Sequence, residues 1–370
     1  MKAVRNIPSI CLLALSLLAA GCGGSSGGGG GATVANVSPS PSPSPSSGPV
    51  VLTQQYAPAY TIAGTGDPTI PIRWFPSRIG LTSDGSLLVS TSAAKNTGPG
   101  DYSGILRFTN FGRPGATRAS AVHLTLGQPE SDFGTFAVSP KDEIYLGDYT
   151  LNAPYDRSDT KVAVLSADGT LLRTLNNGAS DGVFGASGNL YVTSTASSDP
   201  ISTEVYRVSN DGSTTTGILL SDPLGVDGAY IGFSRAAVSP QEDVYVYVTL
   251  SNSKTRPSYG FLTCHSDGSG KRFIPIRNNP DTGWGQFTAC DHDGNLYINT
   301  RESQTYPIAE TPDGNNFTHG IQYIRKFTPD GKELAAIPLL GIIPTDLKVD
   351  ANGNVYVVDQ FAVHVYQRTH

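Results

Sequence analysis

Six side chains stand where a repeated chain could assemble a site: Arg78, Asp148, Arg235, Asn299, Asp346 and Asp359. Three carboxylates and an amide are oxygen donors of the kind that hold a divalent cation such as calcium. The same groups could equally pair with Arg78 and Arg235 or satisfy backbone N–H groups. No other cofactor is implied. The six histidines, at 123, 265, 292, 319, 364 and 370, form no HExxH or HxH pair. No GxSxG supplies a serine nucleophile. Asp291-His292-Asp293-Gly294-Asn295 has the look of a calcium loop, but it is too short, lacks the closing glutamate and reads as a turn.

What would position these residues is a repeat. A short apolar strand, a polar turn and a strand centred on tyrosine recur six times. They include IGLTSDGSLLVST, FAVSPKDEIYLGD and LKVDANGNVYVVD, with anchors at Leu88, Tyr145, Tyr191, Tyr245, Tyr297 and Tyr356. The mean spacing is about 54 residues, slightly above the usual propeller-blade range. In the first five units a second hairpin follows, four of them turning at Asp-Gly (KVAVLSADG, EVYRVSNDG, GFLTCHSDG, YIRKFTPDG). Glycine there accepts the positive φ of a tight hairpin. Each unit is thus four strands, a to d, and six such units predict an all-β, six-bladed β-propeller. The sixth unit stops after a strand c, Val363–Gln367, while Val50–Ala63 supplies a strand with no blade of its own. That N-terminal strand is expected to fill the gap and close the ring, removing an exposed edge.

In such a blade the a–b and c–d turns share one face, and the b–c and d–a connections share the other. The b–c connections are the long ones, about 92–103, 149–160, 196–203, 250–259 and 301–320, which marks their face as the working surface. They carry Tyr102, Tyr155, Arg157 and Arg256 among others, and the d–a connections add Trp74, Tyr230 and Trp284. Aromatic and arginine side chains together suit recognition of a sugar, peptide or protein, although several of these tyrosines could simply cover blade edges. The six residues named first are expected at the channel mouth on this face.

Charge excludes some partners. Charged residues make up only 15% of the chain and the formal net charge is -6. An acidic chain is not built to grip a phosphate backbone, so nucleic acid is not an expected partner. Cys264 and Cys290 lie in the repeated part, where they could form a disulfide in an oxidising compartment or sit as two separate buried thiols.

The N-terminus reads as an address. Lys2 and Arg5 precede an apolar run, Ile10 to Ala20, too short to span a bilayer as a helix. It ends in Leu18-Ala19-Ala20-Gly21-Cys22. This resembles the lipobox of bacterial lipoproteins, although Ala19 stands where that family prefers leucine. The resemblance implies cleavage before Cys22 and acylation of Cys22, with several acyl chains giving stable anchorage. Residues 22–49 then form a Gly/Ser and Ser-Pro tether with nothing to bury. The expected organisation is therefore a signal peptide (1–21), a lipidated tether (22–49) and a propeller domain (50–370). The protein is expected to be exported, to sit at the outer membrane or cell surface, and to be a monomer.

The last unit, PTDLKVDANGNVYVVDQFAVHVYQ from Pro344, resembles the NHL repeat, and the other five are looser versions. That resemblance implies the propeller but no function, because one fold hosts many. Two readings follow. The first is a non-enzymatic binding or scaffold lipoprotein for a protein, peptide or glycan. The second is a metal-dependent enzyme similar to the gluconolactonase and regucalcin propellers, in which a cation in the channel activates water or a lactone carbonyl. A quinoprotein or lyase propeller has no residue here to support it.

Overall fold

The computed structural model describes residues 55–63, 76–91, 104–109, 117–122, 136–147, 162–175, 182–193, 202–221, 230–251, 258–276, 287–302 and 321–369. These form 24 strands in six antiparallel sheets of four. Blade 1 is β2 (Pro76–Leu81), β3 (Leu87–Thr91), β4 (Gly104–Thr109) and β5 (Thr117–Val122). Blade 2 is β6 (Phe136–Val138), β7 (Ile144–Gly147), β8 (Val162–Leu165) and β9 (Leu171–Leu175). Blade 3 is β10 (Val183–Phe184), β11 (Leu190–Thr193), β12 (Ser202–Val208) and β13 (Thr215–Ser221). Blade 4 is β14 (Tyr230–Val238), β15 (Val244–Ser251), β16 (Ser258–Cys264) and β17 (Arg272–Ile276). Blade 5 is β18 (Thr288–Cys290), β19 (Leu296–Glu302), β20 (Ile321–Phe327) and β21 (Glu333–Leu339). Blade 6 is β22 (Asp346–Val349), β23 (Val355–Val358) and β24 (Ala362–Arg368), and its outer strand is β1 (Tyr56–Ala63).

The inner strands touch in an unbroken circle, β2 to β6, β10, β14, β18, β22 and back to β2. The fold is a six-bladed β-propeller closed by its N-terminal strand, as the repeat predicts. β1 runs antiparallel to β24 from Tyr56 opposite Arg368 to Ala63 opposite Ala362, with one bulge between Pro58 and Tyr60. Of Val50–Ala63, the described part of the closing strand is Tyr56–Ala63, and residues 50–54 lie outside the described residues.

The core lies between blades. Leu88 and Ile105 of blade 1 pack with Phe136, Ile144 and Leu146 of blade 2, and every adjacent pair of blades shares an apolar cluster of this kind. Both faces of each sheet are therefore covered, which is why the strands read as nearly continuous apolar runs.

The a–b turns share one geometry. Six backbone N–H groups, from Gly85, Asp142, Gly188, Glu242, Gly294 and Gly353, each reach the carbonyl three residues back, and each of these residues has a positive φ. Glycine is the low-strain residue for that conformation. Asp142 and Glu242 adopt it at φ 63° and use the side chain that glycine lacks. The Asp142 carboxylate accepts from Ser83 N–H (2.7 Å) and Ser83 Oγ (2.6 Å) of blade 1. The Glu242 carboxylate accepts from Ser187 N–H (2.6 Å) and the Tyr191 hydroxyl (3.0 Å) of blade 3. A carboxylate thus clasps one blade to the blade before it.

The same turns explain the recurring tyrosine. Its hydroxyl reaches a turn carboxylate: Tyr297 to Asp291 and Tyr356 to Asp350, each at 2.9 Å, and Tyr145 to Glu143 at 3.3 Å. Burial, with the neighbouring carboxylates, pushes the Tyr297 and Tyr356 phenols well above the usual range, so both stay neutral donors. Blade 1, with buried Leu88 at the anchor, substitutes packing for this bond.

Tyr56, buried at the start of β1, adds a contact outside its own sheet, its hydroxyl lying 2.9 Å from that of Tyr297 in blade 5. Tyr60 and Ile62 pack partly buried against the seam between blades 6 and 1. Fully burying side chains of this size is worth about 1.5–3 kcal/mol each. A chain beginning at residue 64 should therefore melt about 10 °C below one beginning at residue 50, and should self-associate through the exposed β24 edge. Circular-dichroism melts and size-exclusion chromatography check both; equal melting would show that β1 does not hold the ring.

Candidate functional site

Arg78 and Arg235 sit at β-bulges, where the pairing shifts register between Pro76 and Arg78 and between Phe233 and Ala236. An unpaired residue bends the strand and re-aims its side chain. Both arginines lie on inner strands near the d–a end, together with Asp346 at the start of β22.

These three form one cluster. Asp346 Oδ2 accepts from Ile79 N–H (3.0 Å) and Oδ1 from Leu347 N–H (2.9 Å). Arg78 Nη1 donates to the Thr345 carbonyl at 2.6 Å. Arg235 reaches past blade 5 from blade 4, its guanidinium 5.4 Å from the Phe287 ring centroid and 3.7 Å from Asp346 Oδ1. The last distance is an ion pair without a hydrogen bond. Burial pushes the Asp346 carboxyl upward. The charges of Lys348, Arg235 and Arg78 and the Ile79 N–H outweigh that and hold it below the usual carboxylate range. Asp346 is 2% exposed and stays ionised, while the Arg235 side chain keeps 27% of its surface open.

The other expected members do not join. Asn299 Oδ1 accepts from Phe287 N–H at 2.8 Å, which ties the two strands of its own hairpin. Asp359 Oδ1 accepts from Phe361 and Ala362 N–H, each at 2.7 Å, and Oδ2 lies 3.1 Å from His364 Nε2. It shapes the b–c turn of blade 6. Asp148 lies outside the described residues, as do Cys22 and the tether. Among the described residues no three His, Cys, Asp or Glu side chains gather as metal ligands. The described oxygen donors do not fit a divalent cation: Asn299 and Asp359 hold backbone N–H groups, and Asp346 faces three cations.

Asp291 behaves as a turn residue. Its carboxylate accepts from the N–H groups of Asp293 (3.0 Å) and Asn295 (2.8 Å), from Tyr297, and from Lys326 Nζ at 3.0 Å. The two cysteines are free thiols rather than a disulfide. Cys264 packs in the cluster between blades 3 and 4, and Cys290 against the one between blades 4 and 5, so blade 4 separates them. Burial pushes the Cys264 thiol up to about 11 and the Cys290 thiol up to about 12, so neither is a ready nucleophile.

Sequence reasoning missed Lys348. It follows Asp346 by two places in β22, and strand periodicity puts both side chains on one face. That signal was present in DLKV. Also missed were the outward apolar residues of blade 6. Leu340 (76% exposed) and Ile343 (72%) lie on the d–a connection, and Phe361 (61%) on the b–c connection, all on the face that carries Arg235.

No family model matches this chain, and no curated protein matches it. Solved structures do. A protein of unknown function from Dyadobacter fermentans aligns over 85% of this chain and 100% of its own, at 12% identity and a TM-score of 0.52. A gluconolactonase from Xanthomonas campestris aligns over 85% and 99%, at 14% identity and 0.48. A DUF4221 family member from Bacteroides vulgatus aligns over 86% and 100%, at 10% identity and 0.46. The chain shares the propeller fold with these proteins and is loosely similar to the gluconolactonase type; identities this low speak for the fold alone.

Removing the Asp346 charge should leave Arg78, Arg235 and Lys348 facing one another. Asp346→Asn is expected to cost roughly 3 kcal/mol at pH 7. The folded-state carboxyl lies below its unfolded value, so its contribution is complete above the ordinary aspartate pKa of about 3.9 and fades as pH falls below it. Denaturant unfolding from pH 7 to pH 3 should show a shallower acid loss in the variant. Identical curves would mean that Asp346 does not organise the mouth.

Proposed function

We propose that this protein is a lipid-anchored envelope protein whose propeller is a non-enzymatic binding module, gripping a protein, peptide or glycan partner with its b–c and d–a face. The observation that carries the reading is the exposure of Leu340, Ile343 and Phe361 on the connections of that face. Large side chains buried at the centre of a contact are the usual anchors of an interface. Two further exposed leucines, Leu171 and Leu172, lie together on β9, the outer strand of blade 2.

Attachment through acylated Cys22 accords with the sequence motif, and no helix among the described residues is long and apolar enough to cross a membrane. β1 starts at the end of β24 that adjoins the c–d turn, so the chain enters the propeller from the turn face. The lactonase-like reading draws no support from the described donors, which are bound internally.

Two measurements test this. In cells of the source organism fed an alkyne-tagged fatty acid, wild-type protein should carry the label and Cys22→Ser should not; label on both would remove the anchor from the proposal. A photo-crosslinking residue at Phe361 should then trap a discrete adduct on intact cells. The same residue at Leu171, exposed in blade 2 just past a c–d turn, should not. Equal or absent adducts at both positions would reject this face as the binding surface.

A further inference from the structure

The opposite end of the channel holds a cavity that the reading above does not use. It has a volume of about 310 Å³, at the lower end of small-molecule sites. Its walls come from blades 6, 1, 2 and 3, where the inner strands end at their a–b turns. Leu81, Val138, Val183, Phe184 and Val349 make it apolar. Gly80 and Gly182 also line it, each packed so closely that an added Cβ would meet Val138 (2.3 Å) or the Tyr191 carbonyl (2.4 Å).

The polar groups on this wall are already engaged, with one exception. Thr82 Oγ1 donates to Asp84 (2.6 Å), and Ser83 Oγ donates to Asp142 (2.6 Å). Ser139 Oγ accepts from Lys141 N–H (3.2 Å) and Glu143 N–H (3.1 Å). The exception is Lys348, a partly buried ammonium that lines the cavity and makes no hydrogen bond or ion pair among the described residues.

The charge balance points the same way. Lys348 is the first of the charges that hold the buried Asp346 carboxyl down, ahead of Arg235 and Arg78, without a hydrogen bond between the two. Asp142, the other carboxylate on the wall, is occupied by Ser83. A ligand carboxylate entering the cavity would meet Lys348, which makes no hydrogen bond or ion pair among the described residues. A hydrogen-bonded ion pair with a partly buried lysine is stronger than one in bulk water.

We propose that this cavity is a binding site for a small monocarboxylate with a compact apolar body, its carboxylate on Lys348 and its body against Val138, Val183 and Phe184. The site lies at the turn face, so it stands or falls independently of a partner on the opposite face.

The probe is 3-phenylpropanoate, with 3-phenylpropanamide as the uncharged match, titrated into the chain from residue 49 to 370. Calorimetry gives affinity and methyl-resolved NMR gives location. The acid is expected to bind saturably, at least tenfold tighter than the amide, and to shift the methyl signals of Val138, Val183 and Val349. Lys348→Met keeps the stem and removes the charge; with an unchanged melting profile it should weaken the acid at least tenfold and leave the amide as it was. If that variant does not fold, the acid–amide comparison on the unaltered chain decides alone. No saturable binding of the acid, equal binding of acid and amide, or shifts confined to residues away from these valines would each overturn the proposal.

Discussion

A ring of blades has one seam where the last must be joined to the first, and everything inside this propeller depends on that join. Along a linear chain, blade 6 would present an open edge at β24. The pairing of β1 with β24 covers it with a strand from the far end of the sequence. A second set of bonds works at the inner rim of the same seam. Asp346 of blade 6 accepts from Ile79 N–H of blade 1, and Arg78 of blade 1 donates to the Thr345 carbonyl. The outer bonds fix the circumference and the inner bonds fix the radius of the channel. The cluster at the mouth is therefore first a structural device, in which the Arg235 side chain is partly exposed.

Around the rest of the ring the join between blades is made by packing and by turns. A turn that needs positive φ takes glycine where nothing more is required. Where blades 2 and 4 must hold the blade before them, the position carries Asp142 and Glu242 instead. Strain at a non-glycine residue in this region costs on the order of 1–2 kcal/mol. Each carboxylate offsets it with two short hydrogen bonds to the preceding blade. At Gly185 the exchange is visible from the other side: an added Cβ would lie 2.5 Å from Glu242 Oε1. The carboxylate that serves Tyr191 thus comes from the next blade, because its own turn has a glycine where blades 5 and 6 have aspartate.

Most of the fold was legible because it repeats. Period-two apolar strands, Asp-Gly tips and the tyrosine anchor each report a local requirement, and the spare N-terminal strand could be assigned by counting. The turn role of Asp291–Asn295 was legible for the same reason. The site was legible only in part. Arg78, Arg235 and Asp346 were placed at one mouth by strand position, and they meet there. Asn299 and Asp359 occupy the same nominal positions, yet they turn inward to their own hairpins, because Phe287, Phe361 and Ala362 present N–H groups that need an acceptor. No repeat pattern announces that need. The reach of Arg235 from blade 4 to Asp346 in blade 6 is likewise a product of closure, with no trace in the spacing of the two residues.

The electrostatics then sort the candidate chemistries. A channel that activates water on a cation needs several oxygen donors left facing one point, with little positive charge nearby. Here the described donors are bound to backbone, and the buried Asp346 carboxylate feels the charges of Lys348, Arg235 and Arg78. The protein as a whole is acidic, at a formal charge of -6, so a positive channel is a local arrangement set against the overall sign. Such a field favours anionic groups entering at either end of the channel. The ends differ in what they present: exposed Leu340, Ile343 and Phe361 on the connections of one face, and an apolar-walled cavity lined by Lys348 at the other. Such a face suits a macromolecule that brings its own surface, whereas a cavity admits only a small molecule that fits within it.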